Sequence, residues 1–333
     1  MIPREELRLW LDDDAAQDAT AEHFLGVATR LRSLPLLKHL RKNLHDLPCL
    51  GAEAVLTCAR TAMMDEVGLE EIFACLIEGA ILDPFFRPAM RNVATEIHSG
   101  ILLFDTPELT LFLSVMPAES LAAKRLGRDG RRSIVFPGQL SLHKFIRSGG
   151  ATFSFWEAPL IEAGFTAKGS GRCRLAERRR IRDGELLELD GRRQTFVIDH
   201  ASSDLVYLQA VASAGRAPLT VEYDSDSFEF VGASSTDEVS SRTQMMLALL
   251  RTMERHDAVP LMIAMLDNPN FYARWQAMRE LLALDAEAAL SHLKSFAAAD
   301  PHPEVRAAAA ATLSACFETP GLAAAPHLAL ERN

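Results

Sequence analysis

Cysteine is scarce in this chain of 333 residues and follows no pattern: Cys49, Cys58, Cys75, Cys173 and Cys316 are odd in number, scattered, and form no CxxC pair. That speaks against a disulfide framework or a cysteine zinc site and fits reduced thiols in a cytoplasmic protein. Positive charge is also in deficit, with 35 Lys and Arg against 45 Asp and Glu for a formal net charge of −10. A general nucleic-acid binder is therefore not expected, because phosphate would be repelled everywhere except at a local basic patch. No apolar run is long enough to span a bilayer, so no membrane partner is expected. The opening MIPREELRLWLDDD is charged from Arg4 and lacks the apolar core of a secretory signal. The nucleotide-cradling GxGxxG and GxxxxGK[ST] patterns and the GxSxG nucleophile elbow are missing too, which removes the commonest cofactor and hydrolase signatures.

What is present is a large apolar fraction, 48% of residues, in a chain long enough for two or three domains. Its hydrophobic period changes twice. Up to residue 97 it is helical: Leu36, Leu37, Leu40, Leu44 and Leu47 form one stripe, and Leu69, Ile72, Phe73, Leu76 and Ile77 another. Asp83-Pro84 and Arg87-Pro88 punctuate its end. From residue 98 to 232 the period falls to two and turn residues recur. ILLFD and ELTLFLSVM pair across Thr106-Pro107, then come SIVFPG, QLSLHKFI, ATFSFWE, DLVYLQAVA and APLTVEY. About ten short strands with no helix between them predict an antiparallel sandwich or barrel. From 233 to 333 the helical period returns, and Ser235 with Glu238 has the spacing of a capping box.

Within the strand-rich part, residues 171–198, GRCRLAERRRIRDGELLELDGRRQTFVI, place Glu177 ahead of Gly184 with six residues between them, and a turn before Gln194 and Thr195. This segment resembles the central motifs of cupins, which carry two histidines before the Glu and a third after the turn. Here those positions fall near Gly171, Cys173 and Gln194 or Thr195, so most of the metal ligands that the family uses are replaced. The resemblance implies a double-stranded β-helix and argues against the family's usual metal catalysis. In the last part, Pro269, Arg274, Ala277 and Leu281 recur 32 residues later as Pro301, Arg306, Ala309 and Leu313. The repeat resembles HEAT units, in which a Pro turn starts a helix that packs on its neighbour. Two clear units bury too little alone, so the segment is expected to pack on the rest of the chain.

Several residues are candidates for chemistry. His143, Glu157, Cys173 and Glu177 could form an atypical metal site; Cys173 and Glu177 share a strand face by alternation, as Glu157 does with Phe153 and Phe155. Against this, the barrel stretch has only His98, His143 and His200, and none stands in an HxH, HxD or HxE pattern. His302-x-Glu304 does, but in a repeat turn, where helix initiation explains it. Alternation also sets Gln194 with Phe196 and Ile198, and Gln209 with Leu205, Tyr207 and Val211. Isolated polar groups on apolar faces suit a binding pocket, with Trp156 and Glu157 at its mouth. Arg172, Arg174, Arg178, Arg179, Arg180 and Arg182 crowd into eleven residues opposed only by Glu177. They form either a solvated face in salt bridges or, through Arg172, Arg174 and Arg178, an anion site.

The expected protein is thus α+β: an N-terminal helical domain (1–97), a central cupin-like barrel (98–232) and a C-terminal HEAT-like segment (233–333). The leading functional reading is a non-catalytic binding or adaptor protein, without cofactor, taking a peptide, a partner protein or a small ligand in the barrel or at the groove between barrel and helices. One alternative is a metal-dependent enzyme of the cupin kind, an oxygenase or isomerase. Another is a sensor of an anionic metabolite at the arginines. A homodimer is what the cupin resemblance implies.

Overall fold

The computed structural model describes residues 4–87, 92–94, 98–125 and 133–317. Pro88 and the boundary expected at residue 97 lie outside them. The chain divides into two compact units, one of Met1–Ile161 with Ser170–Gly232 and one of Glu162–Gly169 with Ala233–Asn333.

The first unit opens with α1 (Arg4–Leu11), α2 (Asp14–Ser33), α3 (Pro35–His45), α4 (Ala52–Met64) and α5 (Glu66–Leu82). Their ends follow from local chemistry. Asp13 and Asp65 accept the free N–H groups of Ala16 and Gly68, and Pro35 occupies the first turn of α3, where its missing N–H costs nothing. Leu36, Leu37, Leu40 and Leu44 are all buried as their spacing predicts, whereas Ile77, assigned to the second stripe, is 58% exposed and corrects that expectation.

The strands are β1 (Asn92–Ala94), β2 (Ser99–Asp105), β3 (Leu109–Met116), β4 (Ser133–Phe136), β5 (Leu140–Arg147), β6 (Thr152–Glu157), β7 (Arg174–Arg180), β8 (Leu186–Asp190), β9 (Gln194–His200), β10 (Leu205–Ala212), β11 (Leu219–Asp224) and β12 (Phe230–Ser235). A helix, α6 (Ala118–Arg125), interrupts them after β3. It corrects the expectation of strands alone: AESLAAKR is built of helix formers, and Asp204 accepts the N–H of Ala118 at its start. Hydrogen bonding orders the strands β1-β2-β3-β10-β5-β8, β7-β6-β9 and β12-β11-β4. Because β4 lies beside β9, the strands β3 to β10 fall into two layers, β3-β10-β5-β8 over β4-β9-β6-β7. That is a jelly roll, the double-sheet arrangement of cupins.

Alternation along β5 and β10 sends side chains both ways. Leu142, Leu208, Ala210 and Ala212 join the leucines of α3 and α4 in one core. Phe145, Leu205 and Tyr207 point to the other side, into the barrel, with Phe153, Leu187, Phe196 and Ile198. Lys144 is on the helix side yet only 7% exposed; its ammonium donates to the Met63 carbonyl at the end of α4 over 2.9 Å. A cation there completes the helix's free carbonyls.

The second unit contains α7 (Glu238–Thr252), α8 (Val259–Ala264), α9 (Phe271–Leu284), α10 (Ala286–Ala299) and α11 (Pro303–Phe317) around Met262, Ala277, Met278, Leu281, Leu293 and Ala309. The 32-residue repeat is visible in the hydrogen bonds. Arg274 donates to the carbonyls of Asn268 and Pro269 at 2.8 and 3.0 Å, and Arg306 to those of Asp300 and Pro301 at 2.6 and 3.1 Å. Each arginine therefore staples the turn that precedes its own helix. The cap of α7 is Asp237, which accepts the N–H of Ser240 at 3.0 Å, not Ser235 as its spacing with Glu238 suggested. A carboxylate nearer the helix start is the better acceptor, and Ser235 instead donates to the carbonyl of Asp237. Residues 162–169, the link from β6 to β7, belong to this unit. Buried Phe165 presents its carbonyl to Nε2 of His302 at 3.1 Å, and Glu304 accepts the N–H of Ala167 at 2.6 Å. Since a carbonyl only accepts, His302 carries its proton on Nε2. Its ring stacks on Phe271 with centroids 3.7 Å apart.

Candidate functional site

At one end of the barrel, the exits of β6 and the entries of β7 and β9 enclose an open cleft of about 630 Å³. Glu157, Ala158, Pro159 and Leu160 form one wall, Arg172 and Arg174 a second, and Arg193 with Gln194 a third. Pairing explains why these meet: Glu157 lies opposite Arg174 on one side and Gln194 on the other. Four of the sequence-derived candidates, Glu157, Gln194, Arg172 and Arg174, are thus brought together. Arg193 joins them, a residue that no motif had singled out because it lies in the turn outside the strand pattern. Trp156 stands beside the cleft with its ring tilted against Phe228, centroids 5.3 Å apart.

The charges in the cleft nearly cancel. Arg172 pairs with Glu229 and Arg174 with Glu157, while Asp190 is shared by Arg192, bidentate at 2.8 and 2.9 Å, and Arg193 at 3.4 Å. Each of these guanidinium groups thus has a carboxylate partner. Burial tends to raise the Asp190 carboxyl, but the Arg192 hydrogen bonds and charge outweigh it and hold it below the ordinary range. Arg178 lies elsewhere, midway along β7, paired with Asp199 at 2.7 Å.

Below the cleft the barrel interior holds an aromatic cluster. Phe145, Phe153, Phe155, Phe196 and Tyr207 contact one another with centroids 4.7–6.4 Å apart. His143 is among them, 5.2 Å from the Phe196 ring and bonded through Nε2 to the Ser141 hydroxyl at 3.1 Å. Burial pushes its pKa down to about 4, so the imidazole is neutral. Tyr207 is buried and Gln209 half-buried, Gln209 standing across from His143 on the next strand.

The atypical quartet is not assembled. His143 is enclosed by the aromatic cluster, Glu157 is bound to Arg174, Cys173 is buried beside the Phe228 backbone, and the Glu177 side chain is 59% exposed next to Arg179. Among the described residues no three His, Cys, Asp or Glu side chains converge as metal ligands. The shared face expected for Cys173 and Glu177 is lost for a definite reason. Phe155 pairs with Glu177 and Trp156 with Leu175, so Ala176 is an extra residue in β7 and alternation flips there. Burial also drives the Cys173 thiol up to about 11, away from the thiolate that would bind metal.

One comparison bears on the last part of this architecture. Residues 233–314 match the family model of HEAT repeats. No curated protein matches the chain. Among solved structures it is similar to ectoine synthase from P. lautus, with 15% identity over 37% of this chain and 71% of that one and a TM-score of 0.23. A cupin domain from Bordetella pertussis shows 11% identity over 37% and 99%, TM-score 0.22. A sugar phosphate isomerase of the cupin superfamily from Silicibacter pomeroyi shows 8% over 45% and 90%, TM-score 0.24. The fold itself rests on the strand order above: a cupin-like jelly roll with helices on one sheet, followed by helices that match HEAT repeats.

Proposed function

We propose that this is a non-catalytic binding or adaptor protein, whose cleft at residues 157–160, 172–174 and 193–194 takes a peptide or small molecule bearing one carboxylate. The observation that carries the reading is the contrast between a barrel interior packed with an aromatic cluster and an open cleft that gathers Arg172, Arg174 and Arg193 beside apolar side chains. A ligand carboxylate accepts a forked pair of N–H donors from these arginines, while Pro159, Leu160 and Ala158 offer apolar contact and Gln194 orients the ligand. The HEAT-like segment serves a protein partner in this reading, supported by the use of such repeats as extended surfaces. The five unpaired cysteines support a cytoplasmic setting. The three parts, 1–97, 98–232 and 233–333, are taken as the functional divisions.

The test is a calorimetric screen of short peptides and small carboxylates against the purified full chain. A hit should weaken about tenfold or more in Arg174→Gln/Arg193→Gln, given the strength of charge-assisted hydrogen bonds. Circular dichroism checks that the variant is folded. Failure of the screen, or binding indifferent to both arginines, would remove the cleft from the reading. About one equivalent of tightly held transition metal with turnover of a substrate would replace it with the enzymatic alternative.

A further inference from the structure

We infer that the turn joining β7 to β8 is a second binding site, for the phosphate dianion of a small phosphorylated ligand, built on Arg180 and Arg182. It lies at the other end of β7 from the cleft above, roughly 20 Å away at the usual rise per strand residue. The two sites are therefore independent, and either can fail without the other.

The site follows from a local balance of charge. An open hollow of about 990 Å³ is lined by Gly150, Arg180, Arg182, Asp183, Gly184 and Glu185, with Arg179 and Ile181 between them. Its two carboxylates are already engaged. Glu185 accepts from the Arg179 guanidinium at 2.5 Å and from the Arg182 backbone N–H at 3.0 Å. Asp183 accepts both the backbone N–H and the hydroxyl of Ser148, at 2.7 and 2.6 Å, and feels the charge of Arg147. Arg179 is held a second time, its guanidinium 4.9 Å from the Phe155 ring centroid. Arg179 pairs with Glu185 and lies 3.5 Å from Glu177, and Arg147 acts on Asp183 through its charge, whereas Arg180 and Arg182 are both exposed and neither is in an ion pair among the described residues. The other arginines of the same run, Arg172, Arg174, Arg178 and Arg179, each have a carboxylate.

Two neighbouring unpaired guanidinium groups repel each other, and one dianion relieves both charges. A carboxylate would neutralise only one, whereas a phosphate monoester presents enough acceptor oxygens for both forks. A small molecule fits better than a nucleic-acid strand, because the unpaired charge is confined to one hollow and the chain as a whole carries −10. Gly150, at φ +64°, turns the chain at the edge of this hollow.

The experiment titrates the full chain with inorganic phosphate and with phenyl phosphate, followed by ¹⁵N chemical shifts and calorimetry at 0.01 and 0.1 M chloride. Over that range the Debye length shrinks from about 30 to about 10 Å, so saturable binding should persist at the lower salt and weaken several-fold at the higher. Arg180→Gln/Arg182→Gln should lose about tenfold or more in affinity while Arg30→Gln/Arg60→Gln, at arginines that line neither site, stays within about twofold. Arg180→Lys/Arg182→Lys should fall between, because the charge remains and the fork is gone. The inference is overturned by the absence of saturation at 0.01 M chloride, by equal affinity of the Lys and wild-type proteins, or by equal loss in both Gln pairs. Tight binding of a short single-stranded oligonucleotide through Arg180 and Arg182, with phosphate itself inert, would overturn the small-ligand class.

Discussion

His143 is neutral because burial outweighs everything else that acts on it. Its pKa stands near 4 in the folded barrel and near its ordinary 6.5 once unfolded, so between those values the unfolded chain binds a proton that the native one does not. Stability attributable to this residue is therefore complete at neutral pH, falls as pH drops from about 6.5 towards 4, and levels off below. Between pH 7 and 5 the loss should be about 2 kcal/mol. Urea unfolding of wild type and His143→Gln at both pH values checks it: the variant should lack that part of the slope, and parallel curves would show that His143 does not contribute. The residue was legible in the sequence as one of few barrel histidines, and its place on the Phe145 face follows from alternation. Cys173 and Glu177 were misplaced because the extra residue at Ala176 leaves no mark in composition. Arg193 was passed over because turn arginines are usually solvated.

At the scale of elements, periodicity located the helices and strands well, and failed where a side chain chose between equivalent local options. Asp237 over Ser235 as the cap of α7 is one case, and the α6 helix, short and flanked by strands, is another. The 32-residue offset was legible, and the structure supplies its physical content: a pair of arginines with the same task and different surroundings. Arg274 also forms a bidentate pair with Asp300 at 2.9 and 3.0 Å, where the Asp300 side chain is 1% exposed. Arg306 adds no such partner among the described residues to its carbonyl bonds and sits nearer solvent. Arg274→Ala leaves Asp300 buried without its countercharge and should cost about 3–5 kcal/mol, whereas Arg306→Ala should cost about 1 kcal/mol. Chemical denaturation of the two variants separates them. Equal costs would mean that the repeat's turn staple, rather than the buried pair, carries the stability.

At the scale of the whole molecule, the sequence divided the chain by period, and period says nothing about which segments end up in which compact unit. The excursion of residues 162–169 into the helical unit was invisible for that reason: a short turn-rich stretch between strands reads as a loop, and its partners are some 137 positions away. Phe165 is 8% exposed and its carbonyl holds His302, so this stretch is fastened although it has no regular structure. Loosening the fastening should therefore be felt first as local opening of 162–169, not as global unfolding. His302→Ala removes the donor to Phe165 and the ring that covers Phe271, and should admit proteases between Glu162 and Gly169 several-fold faster at unchanged cleavage elsewhere. Phe165→Ala should do the same by removing the apolar anchor. Limited proteolysis with mass-spectrometric mapping reads both, and a cleavage pattern identical to wild type in the two variants would show that the stretch is held by something other than these contacts.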